Sequence, residues 1–392
     1  MPYDLPESLK KKRSELREFL AAEIAPIADE RDSKGPLSHS ETVELFKKLL
    51  PHGYNKSFIP VEAGGLGSRY LERAVMAEEL GRVWAALAVT LDTHSGVIEM
   101  IARNGTDEHR RRWVEPALRG EILACDMVSE PQAGSDQTNL QLTAILDGDH
   151  YVVNGKKMWQ TNGVLADVGI LTAVTDKEAY AADPRKGVIS LIVDSKESPW
   201  EVRDIPFVGL RSGNTGLMEF DQCTVPAANL LHGSDKGYSQ NLVARSWFRV
   251  NIAAIGMGLM QAALDDAIAY AKRREAFRKP IAGFQLVQNM LADMVTDVEV
   301  TRLLVYRASS LMDQGERCDV EQCMAATYGA DAAVRVTQSA MQIHGARGFT
   351  TDEGFKTERY WRDAALGYAG EGTTQILKLV IGRRLTGIQA FV

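Results

Sequence analysis

The sequence of 392 residues is poor in cysteine and lacks long apolar runs, and each shortage excludes a class of protein. The four cysteines form no CxxC pair and have no histidine at zinc-ligand spacing, so we expect reduced thiols and no metal site. No apolar run reaches the roughly 18 residues that a membrane span needs. No apolar segment of a secretion signal follows the basic cluster at residues 10–13. We therefore expect a cytoplasmic protein without a membrane span.

The chain also lacks an excess of basic charge. It carries 45 Lys and Arg against 52 Asp and Glu, which gives a formal net charge of −7. General binding of nucleic acid needs a concentrated basic face, so we do not expect that function. What the chain has instead is 45% hydrophobic residues, enough for a large core and for two or three domains.

Hydrophobic periodicity divides the chain into three parts. Apolar residues recur three or four positions apart near the N-terminus, as at Leu16, Leu20 and Ile24, which predicts helices. From Cys125 onward, short and partly alternating apolar segments between Gly, Asp and Asn turns predict antiparallel strands. The helical period returns from Gly237. Within the helical parts the pattern predicts helices at residues 70–82, 85–104, 253–274, 286–314, 321–343 and 375–386.

These segments define a predicted fold class and domain order. The class is α+β and mostly α. We expect an N-terminal helical domain, a central antiparallel β-barrel or sandwich and a C-terminal four-helix bundle, at residues 1–124, 125–236 and 237–392.

Two acidic residues stand out because of where they lie. Glu371 sits between Gly370 and Gly372, on a turn whose glycines let a ligand come close. A carboxylate held in a dry site can act as a general base. The alternative is an acid that favours the N-terminus of the following helix. Asp92 lies in a very apolar helical segment, where it must be paired, with His94 or a backbone donor, or else face a cavity.

Four stretches of the chain carry short motifs, at residues 127–136 (MVSEPQAGSD), 154–163 (NGKKMWQTNG), 209–216 and 274–277 (REAF). Taken in order, they resemble the acyl-CoA dehydrogenase family. Residues 127–136 (MVSEPQAGSD) are similar to its T-E-P-x-A-G-S-D, and residues 154–163 (NGKKMWQTNG) to its N-G-x-K-x-W-I-T-N. Residues 209–216, with Val225 and Pro226, resemble its strand-end signatures. Residues 274–277 (REAF), followed by Gln285, resemble its R-x-x-F-G...Q pattern. Each motif alone is weak, but the resemblance covers nearly the whole chain.

The resemblance implies a flavin cofactor, FAD, and the residues that hold it. Trp159 is implied to stack against the isoalloxazine ring, while Thr161 and Ser129 hydrogen-bond the ring's edge. Arg274 is implied to meet the pyrophosphate from a neighbouring subunit. The full implied cofactor-binding set is Met127, Ser129, Ser135, Trp159, Thr161, Arg274, Phe277, Gln285, Gln342, Ile343, Gly345, Thr373 and Gln375. The alternatives are a core aromatic for Trp159, a turn hydroxyl for Ser135 and a solvated charge for Arg274.

The resemblance also implies the reaction and its partners. Glu371 would remove the proton alpha to an acyl-CoA thioester, a beta hydride would pass to the flavin, and the product would be an enoyl-CoA. Electrons would leave to an electron-transfer flavoprotein, and the assembly would be a homotetramer, a dimer of dimers. The implied substrate-binding residues are Asp92, Ser135, Arg249 and Gly372.

Several residues depart from the family's pattern or refine it. Phe248 stands where some branches carry the base, which supports Glu371 in that role. Gly370 replaces a larger residue, Arg278 replaces a glycine, and Ser246 replaces an acid. Asp92, with His94, suggests that the substrate has a polar or cyclic acyl group, or that Asp92 is a second base.

Other functions on the same fold remain open at this point. They are an enoyl-CoA reductase, an oxygen-using flavoenzyme and a non-catalytic protein that binds acyl thioesters.

Overall fold

Helices from the two ends of the chain pack together, and the middle of the chain forms a sheet. The computed structural model describes residues 4–233, 237–351 and 354–390, with only the backbone for residues 237–246. The predicted fold class is confirmed. The predicted departure at Ser246 lies outside the described side chains.

The N-terminal part is helical, as its periodicity predicts. A π-helical turn, Leu20–Ile24, joins the first two helices, and Pro26 lies in the first turn of the second, so the proline marks a kink. A capping box between Ser38 and Glu41 begins the third helix. The helices are α1 Glu7–Phe19, α2 Ala25–Arg31, α3 His39–Leu49, α4 Tyr70–Asn104, α5 Asp107–His109 and α6 Glu115–Leu118.

Helix α4 is interrupted where the sequence predicts a gap between two helices. Trp84 has φ −153° and ψ 90°, outside the helical region. Its indole Nε1 donates to Ser212 Oγ at 2.8 Å, so the break points a side chain towards the β part of the chain. The second half of α4 carries Asp92.

The central part forms one eight-stranded sheet in the order β6-β7-β3-β2-β4-β5-β8, with β1 beside β4. Most pairs are antiparallel, as predicted, but β4 runs parallel to β2 at one residue pair and to the whole of β1. Parallel neighbours need a long connection, and here the β2–β3 hairpin supplies it. The strands are β1 Ala124–Met127, β2 Thr143–Asp147, β3 His150–Thr161, β4 Val168–Val174, β5 Val188–Asp194, β6 Glu201–Asp204, β7 Thr215–Pro226 and β8 Leu230–His232. A short helix, α7 Lys177–Ala182, precedes β5.

The described residues of the C-terminal part form five α-helices, three of which have 26 to 37 residues, and a short hairpin, β9 Glu275–Ala276 with β10 Lys279–Pro280, follows the first of them. Helix α8 begins well before the predicted residue 253, because its first turns show no clean apolar stripe in the sequence. The boundaries of α9, α10 and α12 agree with prediction within two residues, whereas α11 was not predicted. The helices are α8 Gly237–Arg273, α9 Gln285–Asp313, α10 Asp319–His344, α11 Thr357–Ala364 and α12 Thr374–Thr386.

Helix α8 contains a long apolar segment. The sequence predicts no membrane span, yet the segment Trp247–Arg273 is long and apolar enough to cross a membrane by length and composition, with a mean hydropathy of 1.4. In the structure 61% of that apolar window is buried against other parts of the chain. The segment is therefore covered by protein, as in the core helix of a bundle.

Close approach of α4 and α8 depends on glycine. A Cβ added at Gly258 would lie 2.0 Å from the Glu78 carbonyl oxygen, and one at Gly81 would lie 2.5 Å from the Ile255 carbonyl oxygen. Glu78 is fully buried and accepts from Arg302 Nη2 at 3.0 Å and from the Tyr306 hydroxyl at 2.7 Å. Both partners belong to α9, so one buried carboxylate joins the N-terminal and C-terminal helices.

Candidate active site

Glu371 lies on the turn that precedes α12, in an unusual backbone conformation. Its φ is +60° and that of Gly372 is +103°. A non-glycine residue in the left-handed region costs roughly 1–3 kcal/mol and is often found at functional sites. Thr373, not Glu371, caps the helix by accepting from the Ile376 amide at 3.4 Å. The alternative of a simple helix N-terminal acid therefore does not describe Glu371.

Asp92 is the second acid of the site. It is only 5% exposed, and the Asn251 Nδ2 of α8 donates to its Oδ1. Burial raises the pKa of Asp92 well above its ordinary value, and the nearby carboxylate of Glu371 raises it further. The hydrogen bond from Asn251 opposes that rise. The two acids thus lie close enough to influence each other, although they are 279 positions apart in the sequence.

His94 is not the partner of Asp92, so the pairing considered from the sequence is wrong. Residues two apart on a helix point in different directions. His94 is fully buried, and its Nδ1 accepts from the Ala124 amide at 3.1 Å. Its ring lies 4.9 Å from that of Phe46. Burial lowers the pKa of His94 to about 3, so the ring is neutral.

Helix α8 places Phe248 beside the second half of α4, and Arg249 follows it in the chain. Phe248 packs so closely on Gly96 that an added Cβ there would lie 2.2 Å from its ring. Arg249 is half-buried, and its Nε has no hydrogen-bond partner among the described residues. Burial raises the pKa of the Cys323 thiol of α10, and the Arg249 charge opposes that rise.

Trp159 forms the exposed aromatic wall of the site. It lies at a bulge in β3, where the register against β7 shifts between Lys157 and Gln160, and its φ is +69°. The indole is 50% exposed and stacks with Phe207 at a centroid distance of 6.1 Å. It is therefore not an ordinary core aromatic.

A cavity of about 310 Å³ opens near this wall. It is lined by Thr161 of β3, Thr90 of α4, Phe207, Leu210 and Leu366. Residues of all three parts of the chain thus meet around one space. Glu371 and Asp92 are not among the residues that line it.

Leu366 explains how the chain accommodates Gly370. A Cβ added at Gly370 would lie 3.3 Å from Leu366 Cδ1. Leu366 thus takes up room beside the turn where the family's pattern has a larger residue.

The segment after β1 carries the other implied flavin contacts. Met127 is fully buried in the β core, so only its main chain is available to a ligand. Ser129 is half-buried, and its carbonyl accepts from the Met158 amide at 2.9 Å, directly beside Trp159. Ser135 is exposed and follows Gly134, where an added Cβ would meet nothing within 4 Å. The structure therefore joins Ser129 to Trp159 and leaves open space at Gly134.

The remaining implied cofactor residues lie in the C-terminal part. Phe277 is 90% exposed, and Arg274, Gln285, Gln342, Gly345 and Gln375 are exposed as well. Ile343 is 5% exposed, so its side chain belongs to the core. Phe277 and Arg278 both have positive φ in the turn between β9 and β10, so Arg278 adopts the conformation that favours glycine.

Sequence reasoning missed several residues of the site. Asn251, Phe207 and Leu366 carry no motif, and only the structure places them there. A polar Asn251 within an apolar helix was the one available signal, because a buried amide needs a partner.

Comparisons with known proteins agree with this geometry. Models of the acyl-CoA dehydrogenase N-terminal, middle and C-terminal domains match residues 6–121, 125–223 and 235–386. A probable acyl-CoA dehydrogenase, YngJ of Bacillus subtilis, is 34% identical, with 98% of this chain and 100% of that protein covered. A 3-(aryl)acrylate reductase of Clostridium sporogenes is 33% identical, with coverages of 94% and 96%.

A solved structure shares the fold. The butyryl-CoA dehydrogenase of Megasphaera elsdenii superposes with a TM-score of 0.91 at 29% identity, covering 98% of this chain and 100% of that one. With all three domain models matched in order, the chain belongs to the FAD-dependent acyl-CoA dehydrogenase family.

Proposed function

We propose that this chain oxidises an acyl-CoA to a 2,3-enoyl-CoA with Glu371 as its base. The observation that supports this most is the left-handed Glu371 between two glycines, within electrostatic reach of the buried Asp92. Backbone strain held at a carboxylate is typical of a functional site. FAD, when bound, supplies the acceptor for the hydride and both electrons.

The residues present fit a flavin. A half-exposed indole offers a flat face, and Thr161 and Ser129 lie beside it with polar groups. The cavity of about 310 Å³ leaves space next to Thr161. For the pyrophosphate, the exposed guanidinium of Arg274 has the right chemistry. We propose that these residues hold FAD.

The two acids divide the proton chemistry between them. Two carboxyl groups in one dry region oppose each other's ionisation. Burial favours the protonated form of Asp92, which leaves Glu371 as the group that accepts a proton. An oxygen of Glu371 would take the proton from the carbon alpha to the thioester. Phe248 and Gly96 pack closely on the neighbouring helices and help to exclude water.

Asp92 supports a substrate with a polar or alicyclic acyl group. A straight alkyl chain offers no partner to a carboxyl group, whereas a polar group on the acyl chain does. The protonated form that burial favours argues against Asp92 as a second base. Activity of Asp92→Asn on straight-chain and alicyclic acyl-CoAs tests this, and equal loss or equal retention on both would remove Asp92 from substrate choice.

The surface of the C-terminal part supports an oligomer. Large apolar side chains stand more than two-thirds exposed in the single chain, at Phe277, Leu286, Phe349, Leu385 and Ile388. Exposed apolar groups of this size are typical of interfaces. We propose a cytoplasmic homotetramer in which Arg274 and Phe277 reach a neighbour's FAD, and which passes electrons to an electron-transfer flavoprotein.

Anaerobic reduction of the bound flavin tests the proposal. Wild-type protein, purified with FAD, is mixed with a panel of acyl-CoAs, and loss of flavin colour is followed. We expect bleaching with at least one substrate class. Glu371→Gln should retain FAD and lose bleaching, while the exposed control Glu316→Gln should behave as wild type. Bleaching at the wild-type rate in Glu371→Gln would show that another group is the base.

The reductase relative supports a second candidate, the same chemistry in the opposite direction. The test is to reduce the flavin chemically and add an enoyl thioester. Reoxidation that is faster than flavin bleaching by the matching saturated thioester would favour the reductase. Rapid reoxidation by oxygen alone would favour an oxygen-using enzyme, and binding without any colour change would favour a non-catalytic protein.

A further inference from the structure

Gln160 is a buried amide at the centre of the proposed flavin wall. In the family pattern quoted above, N-G-x-K-x-W-I-T-N, this place is an isoleucine, whereas this chain has glutamine between Trp159 and Thr161. The side chain is only 4% exposed. Burial of an amide is unfavourable unless its polar atoms find partners. The polar atoms of the Gln160 carboxamide therefore need partners inside the protein.

The carboxamide joins two segments of the chain that both carry proposed flavin contacts. Its Nε2 donates to the Ser129 carbonyl at 2.8 Å and to the Met158 carbonyl. Its Oε1 accepts from the Val128 amide at 3.3 Å. Both amide hydrogens and the carbonyl oxygen are therefore used. An isoleucine could fill the space but could form none of these three bonds.

These bonds hold Ser129 and the backbone next to Trp159. Gln160 reaches back across Trp159 to the carbonyl of Met158, so it closes the bulge in which Trp159 has φ +69°. The Ser129 carbonyl also accepts from the Met158 amide at 2.9 Å, so two donors fix its peptide plane. The strained backbone of Trp159 and the backbone of Ser129 are thus held relative to each other.

A buried ion pair reinforces the same junction. Lys157 is fully buried, and its Nζ donates to the Val128 carbonyl and to Glu130 Oε1, both at 2.8 Å. Val128 is thereby held at both its amide, by Gln160, and its carbonyl, by Lys157. Two side chains of β3 thus hold both peptide groups that flank Val128, in the segment after β1.

We propose that Gln160 is a positioning residue that fixes the Trp159 bulge on the Ser129 segment and so sets the position of the flavin ring. Gln160 itself touches neither flavin nor substrate in this scheme. The inference rests on the proposed placement of FAD against Trp159, Thr161 and Ser129. It adds to the family's shared motif a residue that the motif does not contain.

The test compares Gln160→Ile and Gln160→Met with wild type and with Gln322→Met. Gln322 is also a 4% exposed glutamine, but it lies on α10 and its Nε2 donates to Cys318 Sγ at 3.3 Å. Each protein is stripped of FAD and titrated with it, and far-ultraviolet circular dichroism and thermal unfolding report the fold. Visible circular dichroism of the bound flavin reports its asymmetric surroundings. Anaerobic single-turnover reduction separates the rate of flavin reduction from substrate affinity.

We expect both Gln160 variants to fold and to bind FAD roughly tenfold more weakly, equivalent to ~1.4 kcal/mol, with an altered visible spectrum. Flavin reduction should slow while substrate affinity stays unchanged. Gln322→Met should match wild type in FAD affinity and spectrum, whatever its thermal stability. Gln160→Ile carries the residue of the family's pattern, so we expect this variant to keep the fold.

Two results would overturn the inference. One is wild-type FAD affinity, spectrum and reduction rate in both folded Gln160 variants. The other is a loss of thermal stability in the Gln160 variants with no effect on FAD beyond that of Gln322→Met, since Gln160 would then be purely structural. If wild-type protein itself binds no FAD, the proposed function fails, and that result is distinct from both.

Discussion

Replacing Asp92 with asparagine should make the protein more stable, and increasingly so as the pH rises. Asparagine has nearly the shape of a protonated aspartic acid, and its Oδ1 can still accept from Asn251. What changes is titration. In the folded protein burial holds the pKa of Asp92 well above its ordinary value of 3.8, whereas the unfolded chain ionises near that value.

Proton linkage gives the direction and the slope of the change in stability with pH. Below pH 3.8 both states of the wild type carry the proton, so Asp92 adds no pH dependence. Above that pH the unfolded state releases the proton while the folded state keeps it, so wild-type stability falls. The fall is about 1.4 kcal/mol per pH unit, and it ends when the folded Asp92 ionises. The variant lacks this term, so its advantage grows by the same slope.

The assay is unfolding by urea at a series of pH values from 4 upward in half-unit steps, roughly spanning the ordinary range of carboxyl ionisation. Asp92→Asn is compared with wild type and with Asp221→Asn, an exposed acid of β7 that controls for the general effect of removing one negative charge. Glu371 contributes to the raised pKa of Asp92, so in Glu371→Gln the folded Asp92 should ionise at a lower pH than in wild type. The fall in stability should therefore end at a lower pH in Glu371→Gln.

A flat difference between Asp92→Asn and wild type across the series would refute the reasoning. It would mean that Asp92 is ionised in the folded protein, and the division of roles between the two acids would lose its basis. A slope that Glu371→Gln leaves unaltered would mean that the acids do not face each other.

Two further predictions concern the packing that brings the acids together. Gly258→Ala should destabilise the protein by roughly 1–3 kcal/mol or more, because the new methyl group would lie 2.0 Å from the Glu78 carbonyl oxygen. Gly256→Ala, where an added Cβ meets nothing within 4 Å, should be neutral or stabilising by up to about 1 kcal/mol, and equal thermal stabilities would contradict the close approach. Arg302→Met should cost about 3–5 kcal/mol in unfolding free energy because it leaves the buried Glu78 without its cation. The exposed pair of Arg307 and Glu321 is the control, and a loss in Arg302→Met no larger than in Arg307→Met would refute the role of Glu78.

The structure refines rather than replaces the sequence-based picture of the site. Glu371 was singled out by its flanking glycines, and the structure adds the left-handed conformation of the glutamate itself. Trp159 was singled out by a motif, and the structure adds a half-exposed face and the bulge that presents it. Asp92 was singled out by its apolar surroundings, but its partner was not predicted, and His94 proved to bond elsewhere.

The sequence alone determined what depends on neighbours along the chain. Periods of 3.6 and 2 residues gave the order of helices and strands, and even the interruption of α4 near Trp84. Short motifs gave the family, because glycines and aromatics at fixed spacing reflect local backbone geometry and ligand contact.

Only the tertiary structure decided which distant groups meet. Asn251 bonds Asp92 across 159 positions, and Gln160 bonds Ser129 across 31. The parallel placement of β1 beside β4 and the two hydrogen bonds that hold Val128 have the same origin. A buried polar group must find a partner, but the local sequence does not specify which one. That choice is made by the packing of the whole chain, which is where this protein's acid pair arises.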